Sequence, residues 1–278
     1  MKPLNLLFTL DDRYVDHLKT VLISLFNNSE KVDYQVYLLQ KEALEANEAL
    51  RAFCQQLGMT YHPIIIGENA FEKAPVSNRY PETIYYRLLA QKYLPENLDR
   101  ILYLDVDLLC INNILPLYNM EMGNHLYAAA SHVNDSSVAD LVNKLRLHNF
   151  EAESYFNTGV LLINLEACRR VVDEEAILDY INQNAQTLIL PDQDVLNALY
   201  GHRTILLPDQ IYNFDTRYSV LYKTRGRGDW DLDWVMANTV FLHFCGKDKP
   251  WNPAYKGRYA ALYKHYQHKA AVIEKDQT

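Results

Sequence analysis

The pattern of apolar and polar positions in the first half of the chain predicts strands that alternate with helices. Residues 4–10 form a continuous apolar run, which is typical of a strand covered on both faces. Residues 12–28 then repeat apolar side chains at helical spacing, from Val15 to Leu25. Repetition of this order implies an α/β fold, a Rossmann-like, mostly parallel sheet with helices on both faces. In such sheets, ligands bind beyond the carboxyl ends of the strands.

The same pattern continues through the rest of the chain. Further strands are predicted at residues 34–40, 60–66, 100–104, 126–131, 159–164 and 238–243. Helices are predicted at residues 42–57, 82–94, 165–171, 173–185, 192–200 and 254–269. We expect residues 1–251 to form one α/β domain around a single sheet and residues 252–278 to form a small C-terminal helical extension.

Composition and charge narrow the classes of function. Apolar residues make up 49% of the chain, so a large core can form. The net charge of −8 argues against nucleic acid as the main partner, because phosphate backbones select basic surfaces. The four cysteines lie far apart without a CxxC pair, and the N-terminal apolar run is too short for a signal peptide. A cytoplasmic protein is expected, with at most weak peripheral contact at the inner face of a membrane.

One pair of carboxylates stands out by its context. The sequence has seven acidic pairs at i and i+2, but Asp105 and Asp107 alone lie between two apolar runs, ILYL and LLCI. Residues two apart on an extended chain point the same way, and two like charges in an apolar setting need a compensating cation. Since Arg100 lies at the far end of the strand, a bound divalent cation is the preferred interpretation; the alternative is a structural pair that caps a turn.

A second cluster follows the strand predicted at 238–243. His243 lies at the carboxyl edge of that strand, and Gly246, Lys247 and Lys249 follow within six residues. A flexible backbone and ammonium groups suit a diphosphate. His243 as a third protein ligand would favour Mn²⁺ over Mg²⁺, although Mg²⁺ stays open.

Six motifs in order then give the chain a family resemblance. They are FTLDD near the start, YYRLL at 85–89, LYLDVD at 102–107, FNTGVLLINL at 156–165, PDQDVLN at 191–197 and HFCGKDKPW at 243–251. Together they resemble the family 8 retaining glycosyltransferases, which include glycogenin and the bacterial lipooligosaccharide α-galactosyltransferases. The resemblance implies a glycosyltransferase A type fold and transfer of galactose or glucose from a UDP-sugar to a saccharide, glycolipid or glycoprotein acceptor.

The resemblance also implies roles for individual residues. Asp105, Asp107 and His243 would hold Mn²⁺, and Gln193, Asp192 and Lys249 would act in catalysis. Contacts to the UDP-sugar would come from Asp11, Arg13, Arg87, Asp105, Val106, Asn157, Thr158, Gly159, Asp192, Gln193, Gly246 and Lys249. Arg13 and Thr158 stand where relatives often carry Asn and Ala, which weakens any detailed assignment of nucleobase and sugar contacts.

The expected chemistry is same-face displacement with retention of the α-configuration. The metal and Lys249 would stabilise the leaving diphosphate, and Gln193 would present a dipole beside the anomeric carbon. A covalent intermediate on Asp192 or Asp194 is the contrary mechanism. Acceptor contacts are expected from a mobile loop at 75–80 and from the aromatic residues within 211–222.

Two other functions are alternatives to a glycosyltransferase. A sugar nucleotidyltransferase would be expected to carry a glycine-rich basic loop after the first strand, and FTLDDRY has no glycine there. A catalytically idle UDP-sugar-binding protein would not need to keep Asp105, Asp107, His243, Gln193 and Lys249 together. A dehydrogenase is disfavoured, because the chain has no GxGxxG and contains only nine glycines.

Overall fold

A computed structural model of the 278-residue chain describes residues 3–67, 71, 74–76, 81–131, 147 and 154–275. Of the loop predicted at 75–80, residues 77–80 lie outside the described residues. The strands are β1 (Leu4–Thr9), β2 (Tyr34–Gln40), β3 (Thr60–Ile65), β4 (Arg100–Leu104), β5 (Leu108–Cys110), β6 (Tyr127–Ala130), β7 (Val160–Asn164), β8 (Thr204–Leu207), β9 (Phe214–Asp215) and β10 (Phe241–His243).

The α-helices connect these strands or cover their faces. They are α1 (Val15–Asn28), α2 (Asn47–Gln56), α3 (Ala90–Tyr93), α4 (Leu115–Tyr118), α5 (Leu165–Val171), α6 (Glu174–Asn184), α7 (Pro191–Tyr200), α8 (Asp209–Tyr212), α9 (Ser219–Arg225), α10 (Leu232–Asn238) and α11 (Ala260–Lys275). Short 3-10 helices span Asp12–Tyr14, Glu82–Leu89, Gly201–Arg203 and Thr216–Tyr218. Among the described residues, no helix combines the length and apolarity needed to cross a bilayer.

Seven strands form the central sheet, in the order β3-β2-β1-β4-β7-β6-β8. β1, β2, β3 and β4 run parallel, β7 is antiparallel to β4 and β6, and β8 is parallel to β6. The predicted mostly parallel α/β sheet is therefore confirmed. The strand predicted at 159–164 is present as β7. Because β7 runs antiparallel to β4, the residues that precede β7 lie at the carboxyl end of β4.

Both faces of the sheet are covered, as the apolar runs predict. Leu4, Leu6 and Phe8 of β1 enter the core layer that also contains apolar residues of α1, α2 and α11. Leu7 enters the opposite layer, together with residues of the Glu82–Leu89 helix, α5, α6 and α7. Since neighbouring residues of a strand face opposite ways, a strand between two helical layers has to be apolar throughout.

The prediction of a single sheet needs correction, because β5, β10 and β9 form a second sheet of three strands. β5 pairs antiparallel with β10, and β10 pairs parallel with β9. The apolar runs on either side of Asp105 and Asp107 are thus strands of two different sheets. Hydrophobicity alone cannot reveal this, since both runs are buried.

Two predicted helices also differ from the structure. The helix predicted at 82–94 consists of a 3-10 helix at Glu82–Leu89 followed by a single α-helical turn in α3. The helix predicted at 254–269 begins at Ala260 and extends to Lys275. Gly257 and the non-helical residues around it precede its start.

The C-terminal helix packs directly against the first helix of the sheet domain. Tyr263 of α11 is fully buried, and its hydroxyl lies 3.2 Å from His17 Nδ1 of α1. Buried Lys19 of α1 pairs with Glu274, and the Asn28 amide donates to the Tyr266 hydroxyl at 2.6 Å. These contacts favour a helix that forms part of the main body, while the proposed boundary at residue 251 stays a prediction.

We expect Tyr263→Ala to destabilise the whole molecule by about 3 kcal/mol, because it removes a buried aromatic side chain between α1 and α11. Thermal unfolding should stay a single transition at a lower Tm. Val272→Ala on the same helix is the control, since Val272 is 44% exposed. A separate early transition in Tyr263→Ala would instead show that residues 252–278 form an independent unit.

Candidate active site

The carboxylate pair lies at the corner where the chain leaves the central sheet. Asp105 follows the last residue of β4, and Asp107 precedes the first residue of β5, with a turn between them. The two side chains therefore do not converge through the pleat of one strand, as the sequence argument assumed. The turn brings them together instead, and the Asp105 N–H donates to the Gly159 carbonyl at 2.8 Å.

Pairing of β5 with β10 places a distant histidine beside this corner. His243 lies opposite Leu108, and the Phe244 N–H donates to the Asp107 carbonyl at 2.9 Å. His243 Nε2 consequently lies 3.1 Å from Asp107 Oδ1 and 4.0 Å from Asp105 Oδ2, although 136 residues separate it from Asp107. His243 is 3% exposed, so its ring position is fixed by packing.

The three residues fit a divalent cation. One ligand atom from each of Asp105, Asp107 and His243 can be chosen so that all three lie within 4.8 Å of one another. Two carboxylate oxygens and an imidazole nitrogen form a donor set that suits Mn²⁺ and tolerates Mg²⁺. Gly159 leaves room for this arrangement: a Cβ there would collide with His243 Cε1 and lie 2.9 Å from Asp105 Oδ2.

Two basic side chains from elsewhere in the chain balance the carboxylates. Arg87 Nη1 lies 3.0 Å from Asp105 Oδ1 and 3.3 Å from Asp192 Oδ2. The Lys249 ammonium contacts Asp107 Oδ2 and donates to the Phe244 carbonyl at 3.0 Å. Burial opposes ionisation of Asp107, but Lys249 and His243 lower its pKa below the usual range, so it is an anion at neutral pH.

Arg87 has a larger role than a surface charge. Its side chain is 6% exposed, and its guanidinium stacks on the Tyr103 ring with its carbon 4.1 Å from the ring centroid. Arg87 lies on the eight-residue 3-10 helix Glu82–Leu89, and its side chain reaches Asp105 at the carboxyl end of β4. Arg87 therefore links the corner at Asp105 and Asp107 to Asp192.

The start of α7 forms the next wall. Asp192 Oδ2 accepts from the Thr158 hydroxyl at 2.9 Å, and Gln193 Oε1 accepts from the Asn157 amide at 3.0 Å. Burial raises the pKa of Asp192, and Arg87 offsets this only in part. Both Asp192 and Gln193 lie at the edge of a cleft.

Asp194, two residues after Asp192 on the same helix, has a structural role. It is fully buried and accepts from the Tyr155 hydroxyl at 2.6 Å and from the Ile189 and Leu190 N–H groups at 2.7 and 3.2 Å. These three donors fix the start of α7. They also leave the Asp194 carboxylate unsuited to act as a nucleophile.

The segment that follows β10, residues 244–251, folds back over Asp105 and Asp107. Gly246 adopts φ 92°, a conformation that favours glycine, and the chain then returns Lys249 to Asp107. Trp251 fastens the segment to the main body by stacking on His17 at a centroid distance of 3.7 Å. Its carbonyl also accepts from Lys264 of α11 at 3.2 Å.

These elements surround a cleft of about 840 Å³. Most of the predicted site residues line it: Asp11, Arg87, Asp105, Val106, Asp107, Asn157, Thr158, Asp192, Gln193, His243, Gly246 and Lys249. Arg13 and Gly159 are not among the lining residues. Gly159 lies next to His243 and Asp105, behind the cleft surface. Arg13 is mostly exposed and pairs with the Asp11 carboxylate, with Nε–Oδ1 and Nη2–Oδ2 distances of 3.0 and 2.7 Å.

Sequence reasoning missed several residues that shape this cleft. The Tyr103 hydroxyl donates to Asp105 Oδ1 at 2.6 Å, and Asn213 Oδ1 lies 2.8 Å from His243 Nδ1. Tyr103 belongs to the LYLDVD motif, but its place in an apolar strand gives no sign of this contact. Asn213 lies outside the motifs and becomes visible only when β9 pairs with β10. Of the aromatic residues within 211–222, Tyr218 lines the cleft, whereas Phe214 and Tyr222 are buried and stacked on each other.

Comparison with known proteins identifies the family. The model of the Glycosyl transferase family 8 matches residues 5–254. The chain belongs to this family. The chain is therefore a glycosyltransferase, and the matched region contains the entire cleft wall described above.

Individual relatives agree with this assignment. General stress protein A of Bacillus subtilis is 26% identical, with 92% of this chain and 90% of that protein covered. A lipopolysaccharide 1,2-glucosyltransferase of Escherichia coli is 27% identical, with 89% and 73% covered. The crystal structure of the galactosyltransferase LgtC with donor and acceptor sugar analogs superimposes with a TM-score of 0.79 at 24% identity, covering 96% of each chain.

Gly159→Ala tests whether the corner tolerates any side chain. The new methyl group would push His243 and Asp105 apart, and overpacking of this kind costs about 1–3 kcal/mol of stability. We expect Mn²⁺ affinity, measured by electron paramagnetic resonance, to fall by at least about tenfold. A folded variant that binds Mn²⁺ as tightly as the wild type would contradict this geometry.

Proposed function

We propose that this family 8 glycosyltransferase moves a hexose, galactose or glucose, from a UDP-sugar to a hydroxyl group of a saccharide or glycoconjugate, with Mn²⁺ as cofactor. The observation that carries the proposal is the convergence of Asp105, Asp107 and His243 at the floor of the cleft, with Lys249 beside them. Two anions, an imidazole and an ammonium group suit a metal-bound diphosphate. The cleft volume also falls within the range typical of small-ligand sites.

Departure of the diphosphate is the step that needs most help. Bound at this corner, a divalent cation would act as a Lewis acid that neutralises the leaving diphosphate. Lys249 lies on the segment that covers the corner, so its ammonium group can move from Asp107 to a phosphate oxygen without a large backbone shift. Arg87 stays between Asp105 and Asp192 and keeps the carboxylate-rich wall ordered.

We further propose that the sugar is transferred with retention of its α-configuration. Asp194 is saturated by three donors, and Asp192 is held by Thr158 and Arg87, so neither carboxylate is placed as a free nucleophile. Gln193, whose amide oxygen is oriented by Asn157, can present a dipole to the positive charge that develops on the sugar. Same-face attack by the acceptor hydroxyl therefore fits the site better than a covalent intermediate.

The stereochemistry can be tested on the product. Proton NMR of early product should show the α-anomer, identified by its small coupling constant between the first two ring protons. A β-anomer would contradict retention. A glycosyl group trapped on Asp192 and detected by mass spectrometry would contradict the same-face mechanism while leaving retention intact.

The acceptor side is proposed on fewer contacts. Tyr218 is 43% exposed at the cleft, where its ring can stack on an acceptor sugar. A saccharide, glycolipid or glycoprotein acceptor is compatible with such a platform. The four cysteines, all within the described residues, form no disulfide bond, which agrees with the proposed location in the reducing cytoplasm.

Asp107→Ala is the direct test of the cofactor. Removing this carboxylate takes away one of the three side chains that would hold the cation, so the Mn²⁺-dependent part of UDP binding should disappear. Isothermal titration calorimetry of UDP, with Mn²⁺ and with a chelator, measures that part. Asp248→Ala is the matched control, because this carboxylate lies on the segment after β10, near Lys249 in the sequence, but is not among the cleft-lining residues.

The alternative of a catalytically idle sugar-nucleotide binder is tested with the wild type. Release of UDP from UDP-galactose, UDP-glucose and UDP-N-acetylglucosamine should require Mn²⁺ and should favour one hexose. Tight Mn²⁺-dependent binding with no release from any donor, with or without a saccharide acceptor, would support the binder instead.

A further inference from the structure

A chain of hydrogen bonds between amide side chains joins the metal-binding corner to the wall at α7. Asn157 Nδ2 donates to Gln193 Oε1 at 3.0 Å, and Asn213 Nδ2 donates to Asn157 Oδ1 at 2.9 Å. Asn213 Oδ1 then faces His243 Nδ1 at 2.8 Å. Asn213 has no exposed surface, and it comes from the segment between α8 and β9, outside every motif that defines the site.

One backbone group fixes the direction of every bond in this chain. The Gly159 N–H donates to Asn157 Oδ1 at 2.9 Å, and a backbone N–H can only donate. The Asn157 oxygen therefore faces Gly159, which requires the Asn213 group beside that oxygen to be the NH₂. Hence the Asn213 oxygen faces His243, and His243 Nδ1 must carry a proton.

This orientation has a consequence for the opposite ring nitrogen. With Nδ1 donating to Asn213, Nε2 is the ring nitrogen that faces Asp107 and Asp105; it donates to the Asp107 carboxylate at 3.1 Å and would offer its lone pair there to a cation that displaces this proton. Histidines that bind metals are commonly oriented in this way by a hydrogen bond to the other nitrogen. At the other end of this chain of hydrogen bonds, the Asn157 amide donates to the Gln193 oxygen and so sets the orientation of the Gln193 NH₂ group.

We propose that Asn213 is a positioning residue that sets the metal-binding tautomer of His243 and, through Asn157, the orientation of Gln193. It is not among the residues that line the cleft, and it acts through Asn157 and His243. The inference rests on the proposed function, because it assumes that His243 binds Mn²⁺. It adds that one buried amide aligns the metal side and the sugar side of the cleft.

Asn213 offers two substitutions that separate its two roles. Asn213→Ala removes the hydrogen bonds to Asn157 and His243, whereas Asn213→Asp keeps an oxygen for His243 Nδ1 and replaces the donor to Asn157 with a second acceptor. The control is Asn5→Ala, which removes a buried amide that donates to the Arg100 carbonyl at 3.1 Å at the amino end of the sheet. It should cost stability without affecting the cleft.

Mn²⁺ affinity should be measured by electron paramagnetic resonance on the folded, full-length variants in the presence of UDP. Asn213→Ala should weaken Mn²⁺ binding about 10–100-fold, as loss of such a supporting partner does elsewhere. Asn213→Asp should bind Mn²⁺ within about threefold of the wild type, since a carboxylate is also a common partner of metal-bound histidine. Asn5→Ala should match the wild type.

Donor hydrolysis supplies the second readout. Asn213→Asp should lower kcat at saturating Mn²⁺, because Asn157 loses its donor and Gln193 its orientation, with a smaller change in KM. Equal Mn²⁺ affinity in Asn213→Ala and wild type would overturn the proposal, as would equal losses of affinity in Asn213→Ala and Asn213→Asp. A wild type that binds no Mn²⁺ would overturn the proposed function itself, which is a different result.

Discussion

The antiparallel pairing of β5 with β10 is the constraint on which the site depends. It places His243 opposite Leu108, one residue beyond Asp107, and so brings together two side chains that lie 136 residues apart in the sequence. β10 also pairs with β9, which carries Asn213 to the other side of the His243 ring. The three-stranded sheet thus determines how Asp107, His243 and Asn213 lie relative to one another, while β4 of the seven-stranded sheet positions Asp105.

The charges in the cleft explain why so many polar groups can be buried there. Asp105, Asp107 and Asp192 would repel one another in a low-dielectric setting, yet Arg87 lies between two of them and Lys249 contacts the third. This arrangement balances the carboxylates with cationic side chains before any ligand binds. In the proposed function, a metal–diphosphate complex would therefore enter a site whose charges are already organised, and Lys249 would exchange one anionic partner for another.

The central sheet and the residues that converge at the cleft could be predicted from the sequence, but not the way they are assembled. Apolar runs such as Leu4–Thr9 predicted buried strands, and the motifs around Asp105, Asp192 and His243 predicted the residues that converge. The second sheet was missed because its strands are two or three residues long and pair across distant segments. Asn213 was missed for the same reason, since its role exists only after β9 and β10 pair. The turn at Asp105–Asp107 was read as one extended strand because both flanks are equally apolar.

The account depends most on a cation between Asp105, Asp107 and His243. Crystals grown with Mn²⁺ and UDP and measured at the manganese absorption edge locate that cation by anomalous scattering. We predict one strong peak, about 2.0–2.3 Å from a carboxylate oxygen of each aspartate and from His243 Nε2. Bound UDP with no anomalous peak at this corner, or with the peak at other residues, would contradict the account.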